Sequence, residues 1–181
     1  MTIGDSMNKS RTLMAALIAT TSLSIGPVAI GIAEAQAVKA AAAPTAAASK
    51  LIERGRYLVQ IAGCNDCHTP AYMQMEGKVP EAQWLTGDQF GWRGPWGTTY
   101  AVNLRLYMQS MSEAQWLKTA HTLQARPPMP AYNLHAMTQD DLRAIYRYIR
   151  HAGPAGTPAP AYLPPDKEPK PPYAQFPSPP K

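Results

Sequence analysis

Apolar positions recur at helical spacing in three stretches of the chain and lose that rhythm elsewhere. In the first, Leu51, Gly55, Leu58 and Ala62 lie four, three and four residues apart, which predicts a helix over about Lys50 to Ala62 with one inward face. Gly in mid-helix costs about 1 kcal/mol relative to Ala, so another backbone or a ring is expected to pack close to Gly55. The second stretch opens at Ser112, where Ser-x-x-Gln115 has the spacing of a capping box. It turns Trp116, Leu117, Ala120 and Leu123 inward, and Pro127 prevents its continuation. The third opens at Thr138, with Asp141 three residues on, presents Leu142, Ile145, Tyr146 and Ile149, and closes at Gly153-Pro154. Between the first and second helices, residues 69–111 show little periodicity, many Gly, Trp and Tyr, and no convincing strand pair. The expected fold is all-α, with long loops between helices that share one small core.

The flanks read differently. Lys9 and Arg11 precede an uncharged run from Thr12 to Ala33, followed by the small residues of Ala33-Glu34-Ala35 and Ala35-Gln36-Ala37. That order is the n-region, h-region and A-x-A site of a secretory signal, so residues 1–37 are expected to be removed after Ala35 or Ala37. The alternative is an uncleaved anchor, since the run approaches the roughly 20 residues that a bilayer requires; Gly26-Pro27 and Gly31 weigh against it. Residues 38–49 are Ala-rich without periodicity and read as a linker. Residues 154–181 hold 11 Pro in 28 positions, too many missing donors for helix or central strand. This tail is expected to be extended and largely unpaired, wrapping the domain through Tyr162, Leu163, Tyr173 and Phe176. Residues 50–153 remain as the folded domain. A core of that size is only marginally self-sufficient by surface-to-volume scaling, and a large buried cofactor would help it.

Charge narrows the chemistry. Lys plus Arg number 17 against 12 Asp plus Glu, but the net +5 is scattered singly rather than gathered in a basic stripe, so a nucleic-acid partner is not expected. No Walker, Rossmann or Ser-nucleophile motif is present. The 2 Cys lie in Cys64-Asn65-Asp66-Cys67-His68, and C-x-x-C-H is the attachment motif of c-type haem. Two thiols at that spacing reach the two vinyl groups of one haem, and the adjacent His68 imidazole becomes the proximal iron ligand. Three rivals remain: a plain disulfide, a thioredoxin-like dithiol and half of a zinc site. The dithiol would want a βαβ context, and zinc a second ligand pair at motif spacing; neither is visible.

One motif implies one haem, and an electron-transfer haem wants a sixth ligand. Met73, Met75, Met108, Met111, Met129 and Met137 are available, as are His121, His135 and His151. Met129 stands in Arg126-Pro127-Pro128-Met129-Pro130, where the prolines fix their own φ and push each preceding residue toward extended geometry. A thioether on so stiff a loop loses little entropy on binding iron, which favours Met129 as the distal ligand over a plain core role. His121 is the strongest rival, though its mid-helix position also suits a surface or core histidine.

Gly55-x-Tyr57 before the Cys-x-x-Cys-His, then Met129-Pro130-x-Tyr132, then a closing helix with Tyr148-Ile149, together resemble the class I cytochrome c family. Residues Pro95 to Leu104, Met129-Pro130, and Met137-Thr138-x-Asp140-Asp141-Leu142 are similar to one module of the cytochrome subunits of bacterial alcohol and gluconate dehydrogenases. The resemblance spans about residues 50–153, and it differs in number, since those subunits hold several haem modules and this chain has one motif. It implies helices packed around one covalent haem c, with Cys64 and Cys67 as thioether attachments, His68 proximal and Met129 distal. It also implies that the first and last helices cross through a Gly and aromatic contact at Gly55. The haem propionates would need donors, and Trp92, Arg93, Trp96, Tyr100, Asn103 and Arg105 form the donor-rich stretch most able to supply them; an ordinary aromatic loop would look the same.

The expected function is that of an exported, periplasmic electron-transfer protein rather than an enzyme. It would pass single electrons between redox proteins (a dehydrogenase, an oxidase or another cytochrome) with no small-molecule substrate. A subunit fixed to such a complex is the alternative, followed by a five-coordinate haem that binds gas or peroxide. Membrane association is expected only if the N-terminal segment is retained.

Overall fold

The computed structural model describes residues 45–178. The expected export signal and its cleavage site, and residues 38–44 of the linker, lie outside them. The first helix, α1 (Ala46–Ile61), begins four residues before its expected start. Thr45 caps it, its hydroxyl accepting from the Ala48 amide. The Ala-rich run is thus helical from Ala46 onward, as the high helix propensity of Ala allows once a cap is in place. After α1 come α2 (Cys64–His68), a 3-10 turn (Glu81–Gln83), strands β1 (Gly91–Gly94) and β2 (Gly97–Tyr100), and α3 (Leu104–Gln109). Helices α4 (Glu113–Thr122), α5 (Ala131–Ala136) and α6 (Gln139–Ala152) follow, and β3 (Tyr173–Gln175) lies in the tail.

Both later helix starts follow the sequence signals. Ser112 and Gln115 form the reciprocal capping box of α4. Thr138 caps α6 by accepting from the Asp141 amide, and Gly153 follows its last turn at φ +71°. The α6 face expected to be inward is buried, with Ala144 and Tyr148 added to it. Trp116 of α4 donates its indole N–H to the Leu142 carbonyl at 2.8 Å, tying α4 to α6.

Helices α1 and α6 make the most extensive helix–helix contact, and Gly55 sits at its centre. A Cβ there would stand 2.5 Å from the Ala144 carbonyl carbon and 2.7 Å from Tyr148 Cβ. The close backbone approach expected at Gly55 is therefore present, and Tyr148 supplies the aromatic neighbour. Polar links flank the crossing: Arg54 pairs with Asp141 at 2.9 Å, and Tyr148 donates to Glu81, which also pairs with Arg56. Burial and the Glu81 carboxylate together hold the Tyr148 phenol well above its ordinary range.

The fold is mostly helical, but the expectation of no strand pair is corrected by a three-stranded sheet in the order β2-β1-β3. Strands β1 and β2 form an antiparallel hairpin around Pro95 and Trp96, and β3 pairs parallel with β1. Each of the first two strands is only four residues long and opens on Gly, so neither shows the alternation by which strands are recognised. The pairing of β1 with β3 joins residues about eighty positions apart, which no local pattern announces.

The tail is extended, as expected, but it is not largely unpaired. Leu163 and Thr98 exchange both backbone hydrogen bonds, at 2.7 and 3.0 Å. Arg93 pairs with Glu168 at 2.9 Å, and the Phe176 amide donates to the Arg93 carbonyl. Tyr162, Leu163, Tyr173 and Phe176 all take part in this wrapping, because a chain so rich in Pro still has donors at its non-Pro positions.

Substituting Gly55→Ala is expected to cost about 3 kcal/mol, the upper end of overpacking penalties, because the methyl meets backbone that cannot swing aside. A urea midpoint equal to that of the wild type would show that α1 slides along α6 freely.

Candidate cofactor-binding site

Gly63, at φ +70°, turns the chain from the end of α1 into α2. The five residues of α2 are the Cys-Asn-Asp-Cys-His motif itself. A buried polar chain fixes its orientation: Thr69 donates its hydroxyl to Asn65 Oδ1 at 2.7 Å and accepts from the Leu85 amide at 2.8 Å. The Gly87 amide donates to the His68 carbonyl at 2.8 Å.

A cavity of about 510 Å³ opens beside α2, within the ~300–1,000 Å³ typical of ligand sites. Cys64, Cys67, His68 and Met129 all line it. Its wall is mostly apolar, built from Met108, Trp116, Leu134, Ile145 and Ile149 among others, with the β2 residues Thr99 and Tyr100 on another side. The Met129 loop is tied to that strand, since the Thr99 hydroxyl donates to the Pro127 carbonyl at 2.8 Å.

His68 is buried, and its Nδ1 lies 2.7 Å from the Val102 carbonyl oxygen. A carbonyl can only accept, so the Nδ1 proton is committed to it and Nε2 keeps the free lone pair. This is the arrangement in which a metal-ligating histidine is normally held. Burial lowers the imidazole's affinity for protons, with the Val102 contact opposing it, so the neutral ligand form prevails near neutral pH.

Cys64 and Cys67 are free and half-buried. Burial pushes the Cys64 thiol up to about 11 and raises that of Cys67 as well, with the Asp66 carboxylate adding to both. A redox dithiol needs a depressed thiol in an electropositive setting, which is the reverse of this environment. A tetrahedral zinc site needs four N, S or O ligands, and among the described residues no three His, Cys, Asp or Glu side chains gather closely enough to hold a metal. Two adjacent thiols, one oriented imidazole and a large apolar cavity fit a flat organic group that brings its own metal better than either rival.

Of the other methionines, Met108 and Met137 also line the cavity. Met108 is fully buried in the core and Met137 is the C-cap of α5. Met129 differs from both in standing on the Pro-flanked loop. His121 and His135 do not line the cavity, and His135 is engaged with the Leu123 carbonyl at 3.1 Å.

The six expected propionate donors are divided by the fold. Trp92 and Tyr100 line the cavity; Arg93, Trp96, Asn103 and Arg105 do not. Arg93 is taken by Glu168 and by the Lys167 carbonyl, and Trp96 packs at a tilt against Phe176 with ring centroids 5.3 Å apart. Asn103 caps α3 and donates to the carbonyls of Ala155 and Thr157. Arg105 is buried and donates to the carbonyls of Ala82, Ala152 and Gly153, closing the C-terminal end of α6. Donor-rich composition identified polar side chains here without revealing that backbone carbonyls would claim them. Among the cavity residues that went unrecognised in the sequence are Arg126 and Tyr162; the first flanks the Pro-Pro-Met loop, and the second comes from the tail.

Compared with protein-family models, curated proteins and solved structures, the chain finds no match. No helix among the described residues is long and apolar enough to cross a membrane.

If the cavity holds haem, Met129→Ala is expected to abolish the sulfur-to-iron charge-transfer band, while Met137→Ala leaves it in place. An unchanged near-infrared spectrum for Met129→Ala would assign the sulfur to one of the other two cavity methionines.

Proposed function

We propose that this chain is an exported c-type cytochrome with one covalent haem, which passes single electrons between periplasmic redox proteins. The observation that supports it most directly is the convergence of Cys64, Cys67, His68 and Met129 on one mostly apolar cavity, with His68 held through Nδ1 by the Val102 carbonyl. When bound, haem supplies a ferric/ferrous couple whose potential responds to its axial ligands and to burial. The chain's own contribution is to hold that couple still. Cys64 and Cys67 would anchor the ring by thioether bonds, and the Gly63 turn and the Asn65–Thr69–Leu85 chain fix the helix that presents them.

His68 offers Nε2, and the Pro-bounded loop offers the Met129 thioether, a ligand pair that favours ferrous iron more than harder donors do. Ile145, Ile149, Trp116 and Leu134 line the cavity and would keep water from the ring and limit reorganisation. With His68 and Met129 both engaged by the iron, no ready position would remain for a substrate, so the work would be docking, outer-sphere transfer and release. Transient partners of that kind bind weakly and quickly through small interfaces. The scattered net charge of +5 selects no particular partner. Periplasmic location rests on the n-region, h-region and A-x-A pattern of residues 1–37. Attachment to a larger complex through the tail is less favoured, because residues 162–176 of the tail are engaged with their own domain.

Expressed with haem-attachment machinery, the protein should retain haem through denaturing extraction, show a six-coordinate spectrum and ignore carbon monoxide when reduced. A carbon monoxide shift would make the site an open one for gas or peroxide, and haem-free protein would return Cys64 and Cys67 to other chemistry. The Cys64→Ala, Cys67→Ala double variant should lose the haem and most of its helical circular dichroism, since ligand binding supplies much of so small a core's stability. A native helical spectrum for that variant would contradict this.

A further inference from the structure

We infer that Arg126 binds a carboxylate of the cofactor at the cavity mouth, and that Tyr162 of the C-terminal tail positions it. The inference rests on the haem reading and extends it to two residues outside the motif. Among the described residues that line the cavity, Arg126 is the one with a permanent positive charge, and no Asp or Glu lines it. Arg126 is exposed as well as cavity-lining, so it stands where the cavity meets solvent. No carboxylate among the described residues pairs with it, whereas Arg54, Arg56, Arg93, Arg143 and Arg147 all have acidic partners. An unpaired guanidinium beside a large apolar cavity suits a ligand that is apolar over most of its area and anionic at one edge.

The second observation is how the guanidinium is held. Its carbon lies 3.9 Å from the centroid of the Tyr162 ring, close enough for a cation–π contact. Stacking occupies a guanidinium face and leaves the in-plane N–H donors free, which is the fork that a carboxylate accepts in bidentate fashion. Tyr162 is in turn fixed on two sides. Its hydroxyl donates to the Trp96 carbonyl at 2.9 Å, and the next residue, Leu163, is paired with Thr98. Gly97 permits this approach, since a Cβ there would stand 2.8 Å from the Tyr162 ring and closer still to the Leu163 carbonyl. Pro160 and Ala161 also line the cavity, so this part of the tail forms one of its walls. The preorganised stack spares Arg126 the loss of side-chain freedom that binding an anion would otherwise cost.

The test is a spectroelectrochemical titration of the full-length haem-loaded protein and four variants, Arg126→Gln, Tyr162→Ala, Tyr162→Phe and the Arg126→Gln, Tyr162→Ala double. Removing the cation leaves the cofactor's carboxylate uncompensated and favours ferric iron. The ferric/ferrous ratio at fixed potential should rise about tenfold in Arg126→Gln, a 59 mV fall for one electron. Tyr162→Ala should shift in the same direction, Tyr162→Phe should stay close to wild type because it keeps the stack, and the double variant should match Arg126→Gln. An Arg126→Gln potential equal to wild type, or a double variant shifted by the sum of the singles, would overturn the inference while covalent haem still supported the proposed function. A wild-type protein without covalent haem would overturn both.

Discussion

The crossing of α1 over α6 at Gly55 is the contact on which the rest of the structure depends. At this distance only a hydrogen fits between the α1 backbone and the Ala144 carbonyl, so the first and last helices of the domain lock at one position along their lengths. That lock sets both sides of the cavity. The end of α1 delivers Ala62 and Gly63, then the motif helix, while α6 turns Ile145 and Ile149 toward the same space. The Arg54–Asp141 pair and the Arg56–Glu81–Tyr148 chain surround the crossing but are partly exposed, and exposed pairs contribute about 1 kcal/mol or less each. Close packing therefore decides the geometry, and the polar contacts restrict its slippage.

The short sheet acts on the site from the other side. Strand β2 runs directly into Ala101 and Val102, so the hairpin determines where the Val102 carbonyl stands and hence which nitrogen of His68 holds its proton. The same strand binds the Met129 loop through Thr99 and the tail through Thr98. One four-residue strand thus links the histidine's partner, the methionine's loop and the tail. Rigidity of this kind is what the proposed electron-transfer role would require, because motion of the ligands between oxidation states would slow transfer.

Buried polar groups away from the cavity are mostly engaged. Arg105 satisfies two carbonyls where α6 ends and that of Ala82 in the 3-10 turn, and Asn103 caps α3 while holding the beginning of the tail. These two side chains join the end of the last helix and the tail to the loop that follows the hairpin. Their loss would remove five hydrogen bonds to backbone carbonyls, each contributing about 1 kcal/mol, and so they are structural members beside the site rather than part of it.

The positions of α1, α4 and α6, the caps of the last two and the motif were legible from the sequence because their causes are local, whereas the six-residue helices α3 and α5 are too short to show a period and went unread. Apolar spacing marked the inward faces of α4 and α6, Ser112 and Thr138 announced their starts, and Gly55 announced a close approach before its partner was known. The Cys64–His68 motif and the stiff Met129 loop likewise declare themselves within a few residues. Long-range pairing decided the remainder: the sheet, whose strands are too short to show a period; the fate of Arg93, Asn103 and Arg105, taken by an acid and by carbonyls distant in sequence; and the arrival of Tyr162 beside Arg126. Local sequence sets what each segment can form and which groups it offers, but which group meets which depends on how distant segments pack, and only the folded chain determines that.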